Sequence, residues 1–327
     1  MRRAGLQWAG LNLGGKRLAR LRVGIPRALA FYEYFPLWRE FFARAGADVV
    51  ASPPTTEEIL SDGIRLAVDE ACLPVKAFYG HAHYLAPRVD VLFVPRLVSL
   101  ERRVFTCPKF LGLPEMIKSG VGGLPPVLDV KVDANRRASG PFLAALRAAA
   151  ALGCPPARAA AAYWRGCRAL LADRARVAAG APGAGAPGAT RIAVLGHTYM
   201  VHDPVISMGV VDALRRLGAE VVCAEEVPEA EVRREAGRLP KRLYWAFARR
   251  TMGSALHLMH TGGVAGILHL VPFGCGSDAL ISDLVARFAR RAGMPFMMLT
   301  VDEHSGTAGV LTRLEAFFDM VQRGRAG

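Results

Sequence analysis

The sequence lacks long apolar runs and is sparing in cysteine. No uncharged apolar stretch approaches the roughly 18 residues that a membrane span needs, so we expect no transmembrane helix. Six cysteines at wide, irregular spacing in 327 residues do not resemble a disulfide framework, which belongs to short secreted domains. Residues 4–13 are too short, and too closely followed by basic residues, for a signal peptide. We therefore expect a cytoplasmic protein whose cysteines are thiols or metal ligands.

Lysine is also scarce, since 36 of the 42 basic residues are arginine. A formal net charge of +14 invites a nucleic-acid interpretation, because a basic stripe is the usual footprint of phosphate binding. The arginines instead form scattered doublets, mainly on amphipathic helical patterns, and net charge speaks to association and not to fold. An acidic protein partner or a phosphate-bearing ligand fits the same charge, and we expect no nucleic-acid partner.

A complete nucleotide-binding motif is missing as well. Residues 10–16 match the glycine and lysine spacing of a phosphate loop. The next residue, Arg17, offers no hydroxyl for magnesium, and no strand pattern precedes the segment. The sequence therefore does not predict an ATPase.

What the sequence does contain is two series of short β-branched runs that alternate with helical patterns. Such alternation predicts βαβ units and parallel sheets. The length suits two domains, each with its own core. We expect an N-terminal extension (1–20), a first α/β domain (21–140), an Ala-rich helical connector with a Gly/Ala/Pro linker (141–189) and a second α/β domain (190–327). The predicted strands are residues 22–25, 48–51, 89–94, 127–130, 191–195, 220–223, 266–271 and 296–300.

Three cysteines are expected near the carboxyl ends of the predicted strands, which is the edge where open parallel sheets bind ligands. Cys275 lies after the strand ending at Val271, between Gly274 and Gly276, which let backbone approach a bulky ligand. Cys107 is expected in the loop after the strand ending at Val94. Cys72 precedes a helix that starts near Pro74. A thiol at a helix N-terminus ionises more easily, and thiolate is the form that binds metal.

The alternative is that these cysteines are small buried hydrophobes, which is common for isolated cysteines without CxxC spacing. The same interpretation applies to Cys154 and Cys167, expected on the Ala-rich helices, and to Cys223 at a strand end. Lys76 and Lys109 lie near two of the three candidate ligands and would help to hold an anionic cofactor.

Two polar loops are expected to face the same side as the cysteines. One contains His197 after the first strand of the second series, and the other contains Glu303 and His304 after the last strand. Any of the three side chains could transfer protons or orient a ligand. They could equally be helix caps and surface residues.

Several longer motifs resemble the acyl-CoA dehydratase activase-related proteins, which are relatives of the 2-hydroxyacyl-CoA dehydratase subunits and of the double-cubane cluster proteins. The resemblance extends from about residue 22 onward. It is carried by GIPRALAFYEYFPLW (24–38), VDEACLPVK (68–76), FTCPKFLGLP (105–114), GHTYMVHDP (196–204), PFGCGSD (272–278) and TVDEHSGTAGVLTRLEAF (300–317).

This resemblance implies flavodoxin-like or Rossmann-like domains around an interdomain cleft. It also implies an oxygen-sensitive iron-sulfur cluster, either a four-iron cluster or a double-cubane pair, bound by Cys72, Cys107 and Cys275. The expected partners are a separate ATP-hydrolysing activase as electron donor and a CoA ester or small molecule as substrate. A homodimer or heterodimer is expected. The double-cubane proteins need more than three thiolates. The sequence departs from them in this respect, because Cys154, Cys167 and Cys223 fall in none of the matched motifs.

Three functional hypotheses remain open from the sequence. The first is a cluster-bearing electron-transfer component or a reductase or dehydratase-like subunit reduced by the activase. The second is a thiol enzyme with Cys275 as nucleophile and His304 or His197 as base. The third is a non-catalytic protein that carries a cluster for a partner.

Overall fold

The computed structural model describes residues 21–179 and 189–326. Two sequence predictions lie outside these residues: the N-terminal extension, with its phosphate-loop-like segment, and residues 180–188 of the linker.

The described chain alternates strands and helices in two series. The first series contains strands β1 (Arg22–Ile25), β2 (Asp48–Ala51), β3 (Val91–Phe93), β4 (Arg96–Glu101), β5 (Val104–Phe105), β6 (Val127–Leu128) and β7 (Lys131–Asp133). Its helices are α1 (Phe31–Ala45), α2 (Glu57–Leu66), α3 (Leu73–Leu85), α4 (Pro108–Gly120), α5 (Pro141–Ala151) and α6 (Pro156–Ala179). The second series has β8 (Thr190–Leu195), β9 (Ala219–Cys223), β10 (Gly266–Pro272) and β11 (Phe296–Val301), with α7 (Thr198–Val201), α8 (Val210–Arg216), α9 (Glu229–Ala236), α10 (Ala246–Thr261), α11 (Gly276–Arg291) and α12 (Thr307–Ala326).

Both series form a four-stranded parallel sheet with the same strand order. The first is ordered β2-β1-β3-β6 and the second β11-β10-β8-β9. Numbered within its own series, each sheet reads 2-1-3-4 from one edge, as in flavodoxin-like folds. The chain switches direction of winding between β1 and β3 and again between β8 and β10. The predicted α/β fold with parallel sheets is confirmed.

A shared core holds the two series together. All seven residues of β10 are buried, as expected for a central strand covered by helices on both faces. One continuous apolar cluster contains Leu92 of β3 and also Val194 and Leu268 of the second sheet. Full burial of such side chains contributes about 1.5–3 kcal/mol each. Packing within this shared apolar cluster therefore holds the two sheets together.

A small additional sheet makes one detail of the prediction wrong. Cys107 was expected in the loop after the strand ending at Val94. Instead, β4 pairs antiparallel with β5 and parallel with β7, so a hairpin separates β3 from Cys107. The hairpin escaped prediction because β5 has only two residues and Arg102 and Arg103 interrupt the apolar pattern before it. Its Phe105 N–H donates to the carbonyl of Tyr244 at 2.9 Å, which joins the two series.

The position of Cys154 also differs from the prediction. It was expected on an Ala-rich helix, but it lies buried in the turn between α5 and α6. Pro155 and Pro156 explain the break, because proline cannot continue a helix from the preceding turn. Cys167 does lie on α6, and Cys223 ends β9.

None of the helices in the described part of the chain combines the length and the apolar composition that crossing a bilayer requires.

Candidate metal centre at three helix starts

Three helices begin immediately after a cysteine. Cys72 precedes α3, Cys107 precedes α4 and Cys275 precedes α11, each in an extended backbone conformation. None of the three side chains caps its own helix by a hydrogen bond. Pro74 and Pro108 lie in the first turns of α3 and α4, where a missing N–H costs nothing. The thiols therefore lie in the positive field of helix N-termini, and first-turn N–H groups, such as that of Val75 beside Cys72, favour the thiolate form.

The three thiols are close enough to affect one another's ionisation. The pKa of Cys72 is raised to about 11, mainly by burial. Cys275 and Cys107 also act to raise this pKa, and Lys109 acts to lower it. Burial also raises the pKa of Cys107, with a smaller increase from Cys275. Burial raises the pKa of Tyr199 well above its usual value, and all three cysteines add to that shift. The three sequence-predicted ligands thus lie near enough to one another and to Tyr199 for their charges to interact, although the three sulfur atoms do not form a group within 4.8 Å among the described residues.

Cys275 also belongs to a tighter group with a histidine and a carboxylate. One ligating atom from each of His197, Cys275 and Asp278 lies within 4.8 Å of the others. His197 Nε2 is 3.1 Å from Asp278 Oδ1, and Cys275 Sγ is 3.3 Å from Ser277 Oγ. His197 follows β8 and Cys275 follows β10, so the group occupies the switch point of the second sheet.

Burial and the neighbouring charges shift the pKa values of His197 and Asp278 in opposite directions. Burial lowers the pKa of His197, but Asp278 and Cys275 outweigh it and the net pKa lies well above the usual value. Burial raises the pKa of Asp278, yet His197 brings the net pKa below its usual value. Both shifts indicate an imidazolium paired with a carboxylate beside the Cys275 thiol. Asp278 was not among the residues predicted for the site, although its place one turn after Cys275 was a usable signal.

Some buried polar atoms of the site have no hydrogen-bond partner among the described residues. Asp278 Oδ2 and His197 Nδ1 are buried and have no hydrogen-bond partner within the described residues, while Asp278 Oδ1 is engaged by His197 Nε2. Buried polar groups normally find partners, so such exceptions indicate a missing ligand or strain. Apolar rings enclose the imidazole, with Tyr199 at 5.1 Å and Phe247 at 5.4 Å between ring centroids.

The glycines beside Cys275 leave room next to the thiol. A Cβ built on Gly274 or Gly276 would meet no atom within 4 Å. Gly274 has φ +75°, a conformation that side chains other than glycine rarely adopt. The loop therefore combines a turn that favours glycine with solvent-exposed backbone on both sides of Cys275.

The two lysines singled out from the sequence are engaged in other contacts. The Lys76 ammonium is buried and forms an ion pair with Glu303, which joins α3 to the loop after β11. Lys109 Nζ donates to the Glu70 carbonyl at 2.7 Å. Glu303 is thus a partner of Lys76, and His304 is exposed beside it with its N–H bonded to Asp302. His197, in contrast, lies among the cysteines.

The residues present suit an iron-sulfur cluster. Such clusters are held by cysteine thiolates, and three thiols from separate loops lie near enough here for their charges to interact. The exposed glycines on either side of Cys275 leave that thiol open to solvent, and Asp278 Oδ2 and His197 Nδ1 offer further donor atoms beside it. Cys275, His197 and Asp278 by themselves also form a donor set for a single transition metal.

Comparisons with known proteins identify one family. Residues 22–227 match the family model described as "CoA enzyme activase uncharacterised domain (DUF2229)". The match includes Cys72, Cys107 and His197 and ends before Cys275. No curated protein matches the chain.

Matches to solved structures are weak. The SBP FpvC of Pseudomonas aeruginosa in complex with Ni²⁺ is 16% identical with a TM-score of 0.26, covering 93% of this chain and 98% of that one. The Mn²⁺ complex of the same protein has the same identity and TM-score, with 93% and 99% covered. Tagatose-6-phosphate ketose/aldose isomerase from Escherichia coli is 12% identical with a TM-score of 0.22, covering 93% and 80%. Scores of this size carry no argument.

Proposed function

The chain belongs to the CoA enzyme activase-related family, and on that premise we propose that it binds an oxygen-sensitive iron-sulfur cluster and relays low-potential electrons to a CoA-enzyme component. Cys72, Cys107 and Cys275 are the proposed ligands. The observation that carries the proposal is that these three thiols, each at a helix start, lie near enough to interact electrostatically with one another and with Tyr199, and that Cys275 lies beside the buried His197–Asp278 pair.

The chain's own residues would perform three tasks around such a cluster. Helix N-termini and Lys109 favour the thiolate forms that bind iron. Tyr199 and Phe247 exclude water from the histidine side of the site. The His197 imidazolium provides a positive charge and an N–H close to Cys275, which would stabilise added negative charge. The cluster itself, when bound, supplies one-electron chemistry.

The proposed electron donor is a separate ATP-hydrolysing activase, as the family resemblance implies. The proposed acceptor is a CoA ester or a small molecule bound at the same crevice. A cluster of four irons and a double-cubane pair both fit the proposal, and iron counting separates them.

Anaerobic purification tests the proposal directly. We expect a brown protein with several irons and sulfides per chain and a low-temperature EPR signal after reduction. Cys72→Ser, Cys107→Ser and Cys275→Ser should each lose most of the iron, whereas Cys167→Ser, a half-buried cysteine on α6, should keep it. A colourless, iron-free protein under these conditions would contradict the proposal.

A thiol enzyme is the second candidate, because Cys275, His197 and Asp278 have the arrangement of a nucleophile, a base and an orienting carboxylate. The exposed His304 does not share this arrangement, so His197 is the base in this version. Mass-mapped alkylation by iodoacetamide should then be fastest at Cys275 and should slow in His197→Gln. Cys72→Ser would leave that rate unchanged. Equal alkylation of all three cysteines would exclude this candidate.

A non-catalytic cluster carrier is distinguished by what the loaded protein does. It would transfer its iron to a co-purified partner without any turnover of its own. Iron that stays on this chain through repeated reduction and oxidation would favour the electron-relay proposal.

A further inference from the structure

A second group of potential metal ligands lies apart from the three-cysteine site. Cys223 is the last residue of β9, Glu225 lies in the 3₁₀ turn that follows, and His202 comes directly after α7. The strands that lead to these residues are neighbours, with Val194 of β8 paired to Cys223. One ligating atom from each of His202, Cys223 and Glu225 lies within 4.8 Å of the other two.

The backbone that carries His202 is held in place by its neighbour. The buried Asp203 carboxylate accepts hydrogen bonds from the backbone N–H groups of Val205 at 3.0 Å and Ile206 at 2.9 Å. It also accepts from the Tyr32 hydroxyl at 3.0 Å and from the Thr55 hydroxyl. These bonds tie the segment after α7 to the first half of the chain. His202 is therefore presented from a rigid support although its ring is partly exposed.

The group also has unmet polar demand. His202 Nε2 contacts only one oxygen of Glu225. The other oxygen of Glu225 and one oxygen of Glu226 are buried with no hydrogen-bond partner in the described ranges. The Cys223 side chain is 2% exposed. The unpartnered oxygen of Glu225, next to the buried Cys223 sulfur, is an acceptor that a bound cation would satisfy.

The geometry suits a small, borderline-soft divalent metal. Tetrahedral zinc with sulfur, nitrogen and oxygen ligands places its ligand atoms roughly 3.3–3.8 Å apart. Atoms already within 4.8 Å need only small side-chain adjustments to reach such spacing. Imidazole and thiolate favour zinc-like metals over magnesium or calcium, which prefer oxygen alone.

The surroundings leave one coordination position open. His202 and Glu225 line a cavity of about 300 Å³ whose walls also include Tyr32, Glu33, Thr198 and Arg250. Three protein ligands and an open fourth position are typical of catalytic zinc sites, whereas structural sites are closed. A water or a substrate oxygen could fill the fourth position from this cavity.

We propose that His202, Cys223 and Glu225 bind a divalent transition metal of the zinc class, with an open position facing the cavity and Glu226 as a neighbouring carboxylate. This site shares no ligand with the three-cysteine centre. It holds or fails independently of the iron-sulfur proposal.

Cobalt binding tests the site without an activity assay. The full chain carrying Cys72→Ser, Cys107→Ser and Cys275→Ser is titrated anaerobically with Co²⁺ and then with Zn²⁺. We expect one Co²⁺ per chain, a thiolate-to-cobalt charge-transfer absorption, and displacement of the cobalt by zinc. Adding Cys223→Ser should abolish the absorption band, while adding Cys167→Ser should leave it unchanged.

Two further variants keep the test informative if the quadruple variant fails to fold. His202→Ala and Glu225→Gln each alter a partly exposed ligand, and each should weaken Zn²⁺ binding by at least about 100-fold, the upper end of what loss of an outer-shell partner costs. In the otherwise wild-type chain, the same two changes should lower bound zinc and leave the iron content unchanged. Absence of Co²⁺ binding in a folded protein, or a band that survives Cys223→Ser, would overturn the proposal.

Discussion

The two four-stranded sheets have the same strand order, yet they present their chemistry differently. In the second sheet, His197 and Cys275 lie directly after β8 and β10, on either side of the switch point. In the first sheet, Cys72 and Cys107 are separated from the strand ends, one by α2 and the other by the β4–β5 hairpin. The second series contributes the buried His197–Asp278 ion pair in addition to the Cys275 thiol, whereas the first series contributes the two other thiols. The same topology thus supports two different ways of presenting ligands, because function depends on the loops that a fold positions.

Removing the carboxylate of Asp278 should have the largest effect on stability. Asp278→Asn leaves the His197 charge buried without its partner, which costs about 3–5 kcal/mol. Urea unfolding measures the change. Asp283→Asn is the matched control, because Asp283 lies on the same helix but is exposed, and it should cost less than about 0.5 kcal/mol. Equal losses of unfolding free energy in the two variants would mean that the buried His197–Asp278 pair makes no special contribution to stability.

The ion pair between the halves should rank next. Glu303→Gln deprives the Lys76 ammonium, which is 3% exposed, of its partner, and we expect a loss of about 3 kcal/mol in unfolding free energy. Glu315→Gln, an exposed position on α12, should change stability by less than about 0.5 kcal/mol. Lys76→Met should cost less than Glu303→Gln, since the carboxylate it leaves unpaired, Glu303, is partly exposed. The reverse order would contradict this view of the contact.

Each half contains one buried neutral histidine, and the two should respond alike to acid. Burial lowers the pKa of His81 to about 4 and the pKa of His269 to about 4. A folded-state pKa below the unfolded value of about 6.5 means that the stability contribution is complete above that pH and is lost as pH falls towards 4.

We therefore expect each histidine to account for about 2 kcal/mol of lost stability between about pH 7 and about pH 5. His81→Asn and His269→Asn should each remove that share, measured as the change in urea midpoint between the two pH values. His83→Gln on the same helix as His81 serves as the control. A much smaller effect for one of the pair would show that the halves differ in their buried polar groups too.

The glycine turn before Cys275 should give the smallest effect. Gly274→Ala imposes φ +75° on a residue with a Cβ and should cost about 1–2 kcal/mol. Gly276→Ala, at the first position of α11 and without positive φ, should cost close to nothing in thermal unfolding. If both changes lower the iron content while only Gly274→Ala lowers stability, the two glycines serve the ligand space as well as the turn.

Much of the local architecture was predictable, because it depends on nearby residues. The strands at 22–25 and 48–51 have the predicted bounds, and the parallel α/β arrangement is confirmed. The β4–β5 hairpin was missed, because β5 has only two residues and the charged residues 101–103 come just before it. Cys154 was misplaced because α5 ends at Ala151, ahead of the Pro155–Pro156 pair that marks the break in the sequence.

The sequence by itself determined where helices and strands begin and that several cysteines stand at such starts, because turn chemistry and apolar periodicity act within a few residues. Only the tertiary structure decided which side chains meet. Strand order brings Cys72, Cys107 and Cys275 around Tyr199, pairs His197 with Asp278, and sets His202 beside Cys223 and Glu225. Such contacts depend on crossovers and on packing between the sheets, and neither leaves a periodic trace in the sequence.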